Sequence, residues 1–306
     1  MTTRLNIVLL VLVLALAIPF YWYLIENGAG GARAQPVSMS QLRTLAGSIA
    51  GPRPLAIEVE VVAGRRVPGD YVTAGLGLKR EAVGSMAFRL PVAGGRPIVI
   101  NGGVIPAQQP DRSWQIFDRQ SRHRVDAAMA QAGLILATDE SIENMGAVAA
   151  GTVAAPAQSF RANPEQTRSG TQGRLLPWAK GVDLVPTIAG NGPQVVAPGI
   201  VVIPAPGHSP GSQMIYVQLA SGREYLFTGN IANLAQNWLN QRNHSRLMTD
   251  WLEPEDRVAV RSWLMTIAHM RREAPGLVVV PGGDYQWLLD IKNHTGVKLY
   301  FSSDHG

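Results

Sequence analysis

The sequence of 306 residues contains no cysteine and only six histidines. Without cysteine the chain has no disulfide bond and no thiolate that could bind a metal ion. The histidines are scattered, with no two of them three to five residues apart: His123, His208, His244, His269, His294 and His305. Apart from His208, none of them follows a turn at the end of a strand-like segment. We therefore do not expect the others to build a zinc site.

Charged residues make up only 16% of the chain, against 46% hydrophobic residues, and this balance indicates a globular domain. The net charge is +5. The basic residues include scattered pairs and form no stripe interleaved with aromatic side chains: Arg65–Arg66, Lys79–Arg80 and Arg271–Arg272. Nucleic acid is therefore not predicted as a partner.

One long segment, residues 5–25, carries no charge and is almost entirely apolar. About 20 apolar residues in a helix span the roughly 30 Å hydrocarbon core of a bilayer. The aromatic residues 20–23 suit the lipid–water interface, and Arg4 favours an N-terminus on the inner side. The sequence predicts a single-pass membrane anchor over residues 1–27, with the lipid bilayer as its partner through residues 5–25. The rest of the chain is then exported, on the periplasmic or extracellular face.

A cleaved signal peptide is the alternative, because Ala32-Arg33-Ala34 resembles a cleavage site. The apolar segment is longer than the usual 7–15 residues, and Glu26 lies between it and that site, so the uncleaved anchor is favoured. Residues 28–36 are rich in glycine and alanine and predict a flexible linker. Residues 37–306 then form one large domain.

Three strand-like segments of this domain end in glycine turns that carry polar residues. Residues 202–205 lead into Pro206-Gly207-His208, residues 225–227 into Thr228-Gly229-Asn230, and residues 278–280 into Pro281-Gly282-Gly283-Asp284. Strands ending in such turns present side chains to one shared site.

In order and spacing, these turns resemble the metallo-β-lactamase superfamily, whose members carry Pro-Gly-His, Thr-Gly-Asp and Pro-Gly-His-Asp. The resemblance covers roughly residues 50–290. It implies an α/β (α+β) fold, a four-layer αββα sandwich, here preceded by the transmembrane helix. Helical patterns over residues 114–133 and from Glu253 to about Arg272, between strand-like segments, fit that architecture.

The metal-binding motif of this family, His-any-His-any-Asp-His after a strand, is not present. After the strand-like residues 134–138, the matching window places Asp139, Ser141, Glu143 and Asn144 at its ligand positions. Elsewhere, Asn230 stands for the bridging aspartate, Gly283 for the last histidine and Asn101 for an upstream aspartate. The residues expected in the cleft are Asn101, Asp139, Ser141, Glu143, Asn144, His208, Asn230, Gly283 and Asp284.

A catalytic zinc ion needs three protein ligands and an open position. Of the imidazoles in the family pattern, only His208 is kept, so zinc is not expected and no catalytic residue is identified. Amides and glycine in place of ligands would remove the cost of burying unpaired charge. The alternative is a site for a hard cation, Mg²⁺, Mn²⁺ or Ca²⁺, held by His208, Asp139, Glu143 and Asp284, with Glu140 as a further candidate. The abandoned site is favoured, because one histidine and scattered carboxylates rarely bind metal.

The sequence therefore predicts a membrane-anchored protein of this fold that acts as a non-catalytic binding protein, a pseudoenzyme with a degenerate metal site. Its partner would be a small molecule or another protein. The alternative is a metal-dependent hydrolase of an ester, thioester, lactam or phosphoester, in which a non-standard metal activates water. A purely structural role is the third hypothesis.

The anchor makes a direct prediction. The mature chain should keep residues 1–35 and remain in the membrane fraction after a high-salt wash, because burial of the apolar segment does not depend on charge. N-terminal sequencing and fractionation check this. A mature N-terminus at Gln35 would identify a cleaved signal peptide.

Overall fold

The computed structural model describes residues 2–108, 114–151, 159–168, 179 and 185–302. Its strands form a six-stranded and a five-stranded sheet. The strands are β1 (Glu58–Pro68), β2 (Arg80–Leu90), β3 (Ile98–Ile100), β4 (Ile116–Phe117), β5 (Leu134–Leu136), β6 (Gln194–Ala197), β7 (Ile200–Pro204), β8 (Gln213–Gln218), β9 (Glu224–Gly229), β10 (Val278–Pro281) and β11 (Lys298–Leu299).

The helices lie before, between and after these strands. They are α1 (Thr2–Phe20), α2 (Met39–Ala46), α3 (Gly69–Val72), α4 (Arg119–Gln131), α5 (Ile142–Ala149), α6 (Ala235–Leu239), α7 (Arg257–Glu273) and α8 (Tyr285–Leu289). Two segments are π-helical, Tyr21–Ile25, which continues α1, and Leu247–Leu252.

The order of strands is β11-β1-β2-β3-β5 in the first sheet, where β4 also pairs with β1, and β10-β9-β8-β7-β6 in the second. β3 and β5 are parallel, and so are β9 and β10. Parallel neighbours end at the same edge of a sheet, so the residues after β3 and β5 lie side by side. The residues after β9 and β10 do the same in the other sheet.

Alternation along the strands creates four layers. Val201 and Ile203 of β7 pack in one apolar cluster with helices α2 and α7, whereas Ile200 and Val202 pack between the two sheets. Successive side chains of a strand point to opposite faces, so a strand covered on both sides reads as a continuous apolar run. A third cluster joins the outer face of the first sheet to α4 and α5. The predicted αββα sandwich is confirmed.

Helices α4 and α7 begin later than the sequence pattern predicts. Residues 116–117 form β4 and pair with β1, and Asp118 then caps α4 by accepting from the backbone N–H groups of Gln120 and Ser121. Asp256 caps α7 in the same way. A cap carboxylate satisfies backbone donors that a helix leaves free at its start, so these aspartates set the two boundaries.

The ends of β9 and β10 approach each other so closely that both turns require glycine. A Cβ atom on Gly282 would lie 2.4 Å from the carbonyl oxygen of Gly229, and Gly229 itself has φ +53°. Side chains are excluded at the first position by contact and disfavoured at the second by conformation. The Thr-Gly and Pro-Gly pairs of the sequence therefore bring these strand ends together.

The apolar helix over Thr3–Ile25 has a mean hydropathy of 2.5 and is long enough to cross a membrane. Its most apolar part is not buried against the domain. It is a candidate membrane anchor, although a signal sequence near the N-terminus can also be long and apolar enough to meet the same criteria.

The end of this helix is attached to the domain by polar contacts. Arg246 donates to the carboxylate of Glu26 at 2.6 Å, and its guanidinium lies 4.3 Å from the ring centroid of Trp22. Arg242 donates to the carbonyl oxygen of Ile25 at 3.0 Å. Residues 22–26 are therefore held against the segment 242–246.

The core makes a stability prediction for α7. Leu264 is fully buried against the second sheet. We expect Leu264→Ala to lower the free energy of unfolding by about 2–5 kcal/mol, through lost burial and the cavity left behind. Val258 on the same helix is 42% exposed, and Val258→Ala should change it by less than about 0.5 kcal/mol. Urea unfolding measures both, and equal losses would contradict this packing.

Candidate functional site

The predicted polar residues meet where the strand ends of the two sheets face each other, at a cleft of about 470 Å³. Four of them line the cleft: Ser141, Glu143, His208 and Asn230. Three others are at most 3% exposed: Asn101, Asp139 and Asn144. These seven residues therefore lie together at the strand ends, as the three turns predict, and their role as a site stays a prediction.

Asp139 is the centre of a buried hydrogen-bond network. Its Oδ1 atom accepts from the backbone N–H of Ser141 at 2.9 Å. Its Oδ2 atom accepts from the side-chain amide of Asn144 at 2.8 Å and from the backbone N–H of Asn230 at 3.4 Å. Both carboxylate oxygens therefore have protein donors, which offset the cost of burying the charge.

Asn230 extends the network across the cleft floor. Its Nδ2 atom donates to Oγ of Ser141 at 3.3 Å, and its Oδ1 atom accepts from Nδ2 of Asn233 at 2.9 Å. A Cβ atom on Gly283 would lie 2.6 Å from Oδ1 of Asn233. The side chain of Asn233, which the sequence patterns did not single out, therefore fills the space beside Gly283.

Asn101 and Asp284 have structural partners. Asn101 adopts φ +63°, and its Oδ1 atom accepts from the backbone N–H of Thr138 at 2.9 Å. Asp284 caps α8 by accepting from the N–H of Trp287 at 3.0 Å, and it also accepts from the N–H of Ala235 at 3.1 Å. Burial raises the pKa of Asp284 above its ordinary value, although these hydrogen bonds oppose the rise.

Glu140 fastens the turn after His208 to the loop after β5. Its carboxylate is 1% exposed and accepts from Oγ of Ser209 at 2.7 Å and from the backbone N–H of Gly211 at 3.0 Å. Burial is the largest effect on its pKa and raises it, and the charge of Asp139 adds to the rise. The two hydrogen bonds oppose the shift without cancelling it. Glu143 instead lies at the cleft surface, with an oxygen 3.7 Å from a guanidinium nitrogen of Arg65.

His208 belongs to a second cluster, which the sequence did not predict. Its Nδ1 atom lies 3.1 Å from Oε2 of Glu255, and Nδ1 of His244 lies 3.0 Å from the same oxygen. The two imidazole centroids are 5.8 Å apart. All three residues line the cleft. Within the described part of the chain, they are the one group of three or more potential metal ligands, and Asp139, Glu143 and Asp284 are not among them.

The carboxylate of this cluster stays charged. Burial is the largest single effect on Glu255 and raises its pKa, but the charges and hydrogen bonds of His244 and His208 together lower that pKa to about 2. For His208, burial lowers the pKa most strongly, and the hydrogen bond and charge of Glu255, with the charges of Asp139 and Glu140, outweigh it. The net result is a raised pKa for His208, which stabilises an imidazolium beside a carboxylate.

Comparison with known proteins gives no match to a family model and none to a curated protein. Solved structures do match. A quorum-quenching N-acyl homoserine lactone lactonase is 12% identical over 77% of this chain and 94% of its own, with a TM-score of 0.60. An N-acyl homoserine lactone hydrolase, with the product N-hexanoyl-L-homoserine bound at its catalytic metal center, is 13% identical over 76% and 95%, with a TM-score of 0.59.

A probable metal-dependent hydrolase from Staphylococcus aureus is 9% identical over 76% of this chain and 91% of its own, with a TM-score of 0.56. The chain has the metallo-β-lactamase fold. At these identities the likeness concerns the fold alone, and the resemblance inferred from the three turns is confirmed at that level.

The metallo-β-lactamase fold implies zinc at the ends of these strands, and the residues present do not fit a dinuclear centre. Zinc is bound by His, Cys and carboxylate side chains. Ser141, Asn144 and Asn230 stand at the positions that the sequence resemblance assigns to ligands, and the two oxygens of Asp139 accept hydrogen bonds from N–H donors. His208 is the one imidazole left at these positions, and its Nδ1 atom faces Glu255.

Burial of Glu140 predicts a pH-dependent stability. A carboxyl whose pKa is raised by folding stabilises the fold below its ordinary pKa of 4.5, and this contribution is lost as the pH rises through the folded-state value. Glu140→Gln does not titrate. The melting temperature of the wild type minus that of this variant should therefore be larger at pH 5 than at pH 8.

Glu165, whose side chain is 29% exposed, provides the control. The melting temperature of the wild type relative to Glu165→Gln should change less between the two pH values. A wild type that loses stability relative to Glu140→Gln at the lower pH would contradict the assignment of Glu140.

Proposed function

We propose that this chain is a membrane-anchored binding protein of metallo-β-lactamase fold, whose cleft holds its ligand without a dinuclear zinc centre. One observation supports the proposal: Asp139, Ser141, Asn144 and Asn230, at the positions that the sequence resemblance assigns to metal ligands, hydrogen-bond to one another, while the cleft beside them stays open. A network in which each oxygen of the buried charge has a donor is stable without a cation. The fold is thereby kept and the cleft freed for binding.

The lining of the cleft supports an amphiphilic ligand. Tyr71 and Val72 of α3 and Met248 and Leu252 of the π-helical segment supply apolar surface. Charged and hydrogen-bonding groups lie on the strand-end side: Arg65, Ser141, Glu143, Asn230 and Asn233. Ligand sites of this kind combine apolar walls with a few polar groups that fix orientation. A molecule with a polar head and an apolar tail matches both parts.

The position of the apolar helix supports binding at a bilayer surface. The backbone N–H of Gly75, just after α3, donates to the carbonyl oxygen of Leu24 at 2.9 Å. Trp251 and Leu252, in the cleft-lining π-helical segment, are 67% and 57% exposed. Aromatic and aliphatic side chains next to the end of a membrane helix suit the lipid–water interface. The cleft would then receive its ligand from the membrane.

The alternative is a metal-dependent hydrolase with a non-standard metal site. The specific observation in its favour is the cluster of His208, His244 and Glu255 in the wall of the same cleft. Two of the similar structures belong to enzymes that act on N-acyl homoserine lactones. Such a lactone is a polar ring that bears an acyl chain. That chemistry is amphiphilic, so one reagent tests both functions.

The test uses the full chain in lipid nanodiscs with N-decanoyl-L-homoserine lactone as the probe. We expect saturable binding, seen as a rise in melting temperature, without opening of the lactone ring. Val72→Trp should fill the cleft and weaken binding roughly tenfold or more, equivalent to at least about 1.4 kcal/mol. Leu239→Ala, which alters a half-exposed side chain outside the cleft lining, is the matched control and should bind as the wild type.

Ring opening is followed by proton release in the same samples. Turnover that is lost in His208→Ala would favour the hydrolase. Binding that Val72→Trp leaves unchanged would contradict the cleft as the site of the ligand.

A further inference from the structure

We infer that His208, His244 and Glu255 form a binding site for one divalent transition-metal ion, of which zinc is the type, in the wall of the cleft. The site shares only His208 with the ligand pattern of the family. Its other two ligands come from residues outside that pattern, in the segment that leads into α7. The inferred metal site goes beyond the proposed binding function, because it does not depend on which ligand the cleft takes.

The geometry of the three side chains matches a small metal site. The ligand atoms lie within 4.8 Å of one another, and the two Nδ1 atoms are 3.1 and 3.0 Å from Oε2 of Glu255. A tetrahedral zinc ion with bonds of about 2.0–2.1 Å separates its ligand atoms by roughly 3.3 Å. The two separations from Oε2 of Glu255 are therefore already close to those around a bound ion.

A second observation points to an absent ligand. Within the part of the chain that the structure describes, Oε1 of Glu255 is buried and has no hydrogen-bond partner. The side chain of Glu255 is only 1% exposed, so bulk water does not supply the missing hydrogen bond. A buried acceptor left without a partner costs about 1–3 kcal/mol, more when charged. A cation bound by both carboxylate oxygens of Glu255 removes that cost. A cation bound by Oε2 with Oε1 next to it does the same.

The cluster is held in place by the start of α7. The backbone N–H of Asp256 donates to the carbonyl oxygen of Gly207 at 2.9 Å, which fixes the turn that carries His208. Arg257 donates to the carbonyl oxygen of His244 at 2.7 Å. Both histidines are thus tied to the residues directly after Glu255. A set of ligands fixed before binding loses little conformational entropy when the ion arrives.

The ion would have an open coordination position toward the cleft, because all three side chains line it. Two imidazoles and one carboxylate with an open position are a ligand set that zinc and iron(II) use in proteins. In a binding protein that position would take an anionic or carbonyl group of the ligand. A cluster that served only to fasten α7 through hydrogen bonds would bind no ion.

The experiment titrates the full chain in detergent, stripped with a chelator, with Co²⁺ as a spectroscopic probe and then with Zn²⁺ as competitor. We expect one ion per chain, a visible absorption band of low-coordinate cobalt, and a Zn²⁺-induced rise in melting temperature. Loss of a partner outside the coordination sphere typically weakens binding about 10–100-fold. His244→Asn and Glu255→Gln remove ligands and should each weaken it by at least about 100-fold.

Glu143→Gln is the matched control, because Glu143 lies at a ligand position of the family pattern, at the cleft surface and outside the proposed site. It should bind Co²⁺ with wild-type affinity. If Glu143→Gln loses the ion while His244→Asn keeps it, the ion occupies the family position and the inference is overturned. Absence of both the band and the thermal shift in the wild type would also overturn it.

Should a ligand variant fail to fold, X-ray absorption of the zinc-loaded wild type decides the matter. Scattering from two imidazoles supports the site, and scattering from one imidazole contradicts it. The lactone-binding measurement in nanodiscs is made separately, so failure of the metal site and failure of the proposed function remain distinguishable.

Discussion

The buried charge of Asp139 is the constraint on which the centre of this molecule depends. The carboxylate lies where the two sheets meet, and its oxygens draw donors from its own loop and from the turn after β9. In the fold as metal enzymes use it, a cation would balance such a charge. Here an amide and backbone N–H groups solvate the charge by hydrogen bonds, and the same network fixes Ser141 and holds Asn233 beside Gly283. These hydrogen bonds fix the floor of the cleft.

The fold could be predicted because its signals are local. Continuous apolar segments followed by Pro-Gly or Thr-Gly turns mark strands buried on both faces, and Gly229 and Gly282 are required where two strand ends touch. Helix starts were less accurate, since capping by Asp118 and Asp256 outweighs periodicity at the boundary. Most residues predicted for the cleft follow strands, and the structure brings them together at the strand ends for the same reason.

The cluster around Glu255 could not be predicted in that way. His208 and Glu255 are 47 residues apart, and His244 lies in an irregular segment with no strand pattern before it. Glu255 reads in sequence as an ordinary acidic residue near the start of a helix, where the helix dipole favours it. Only the packing of α7 against the turn at Gly207 brings the three together. Spacing rules detect ligands that share one helix or strand, whereas these three ligands lie in three different segments of the chain.

The contact between Arg246 and the end of the apolar helix links that helix to the wall of the cleft. Arg246 follows His244 by two positions. It pairs with Glu26 and covers the ring of Trp22. Proteolysis between the helix and the domain, at residue 27 or beyond, would remove those partners from the domain. The segment carrying His244 would then lose its outer support. Separation of the apolar helix and loosening of the cleft wall would thus occur together.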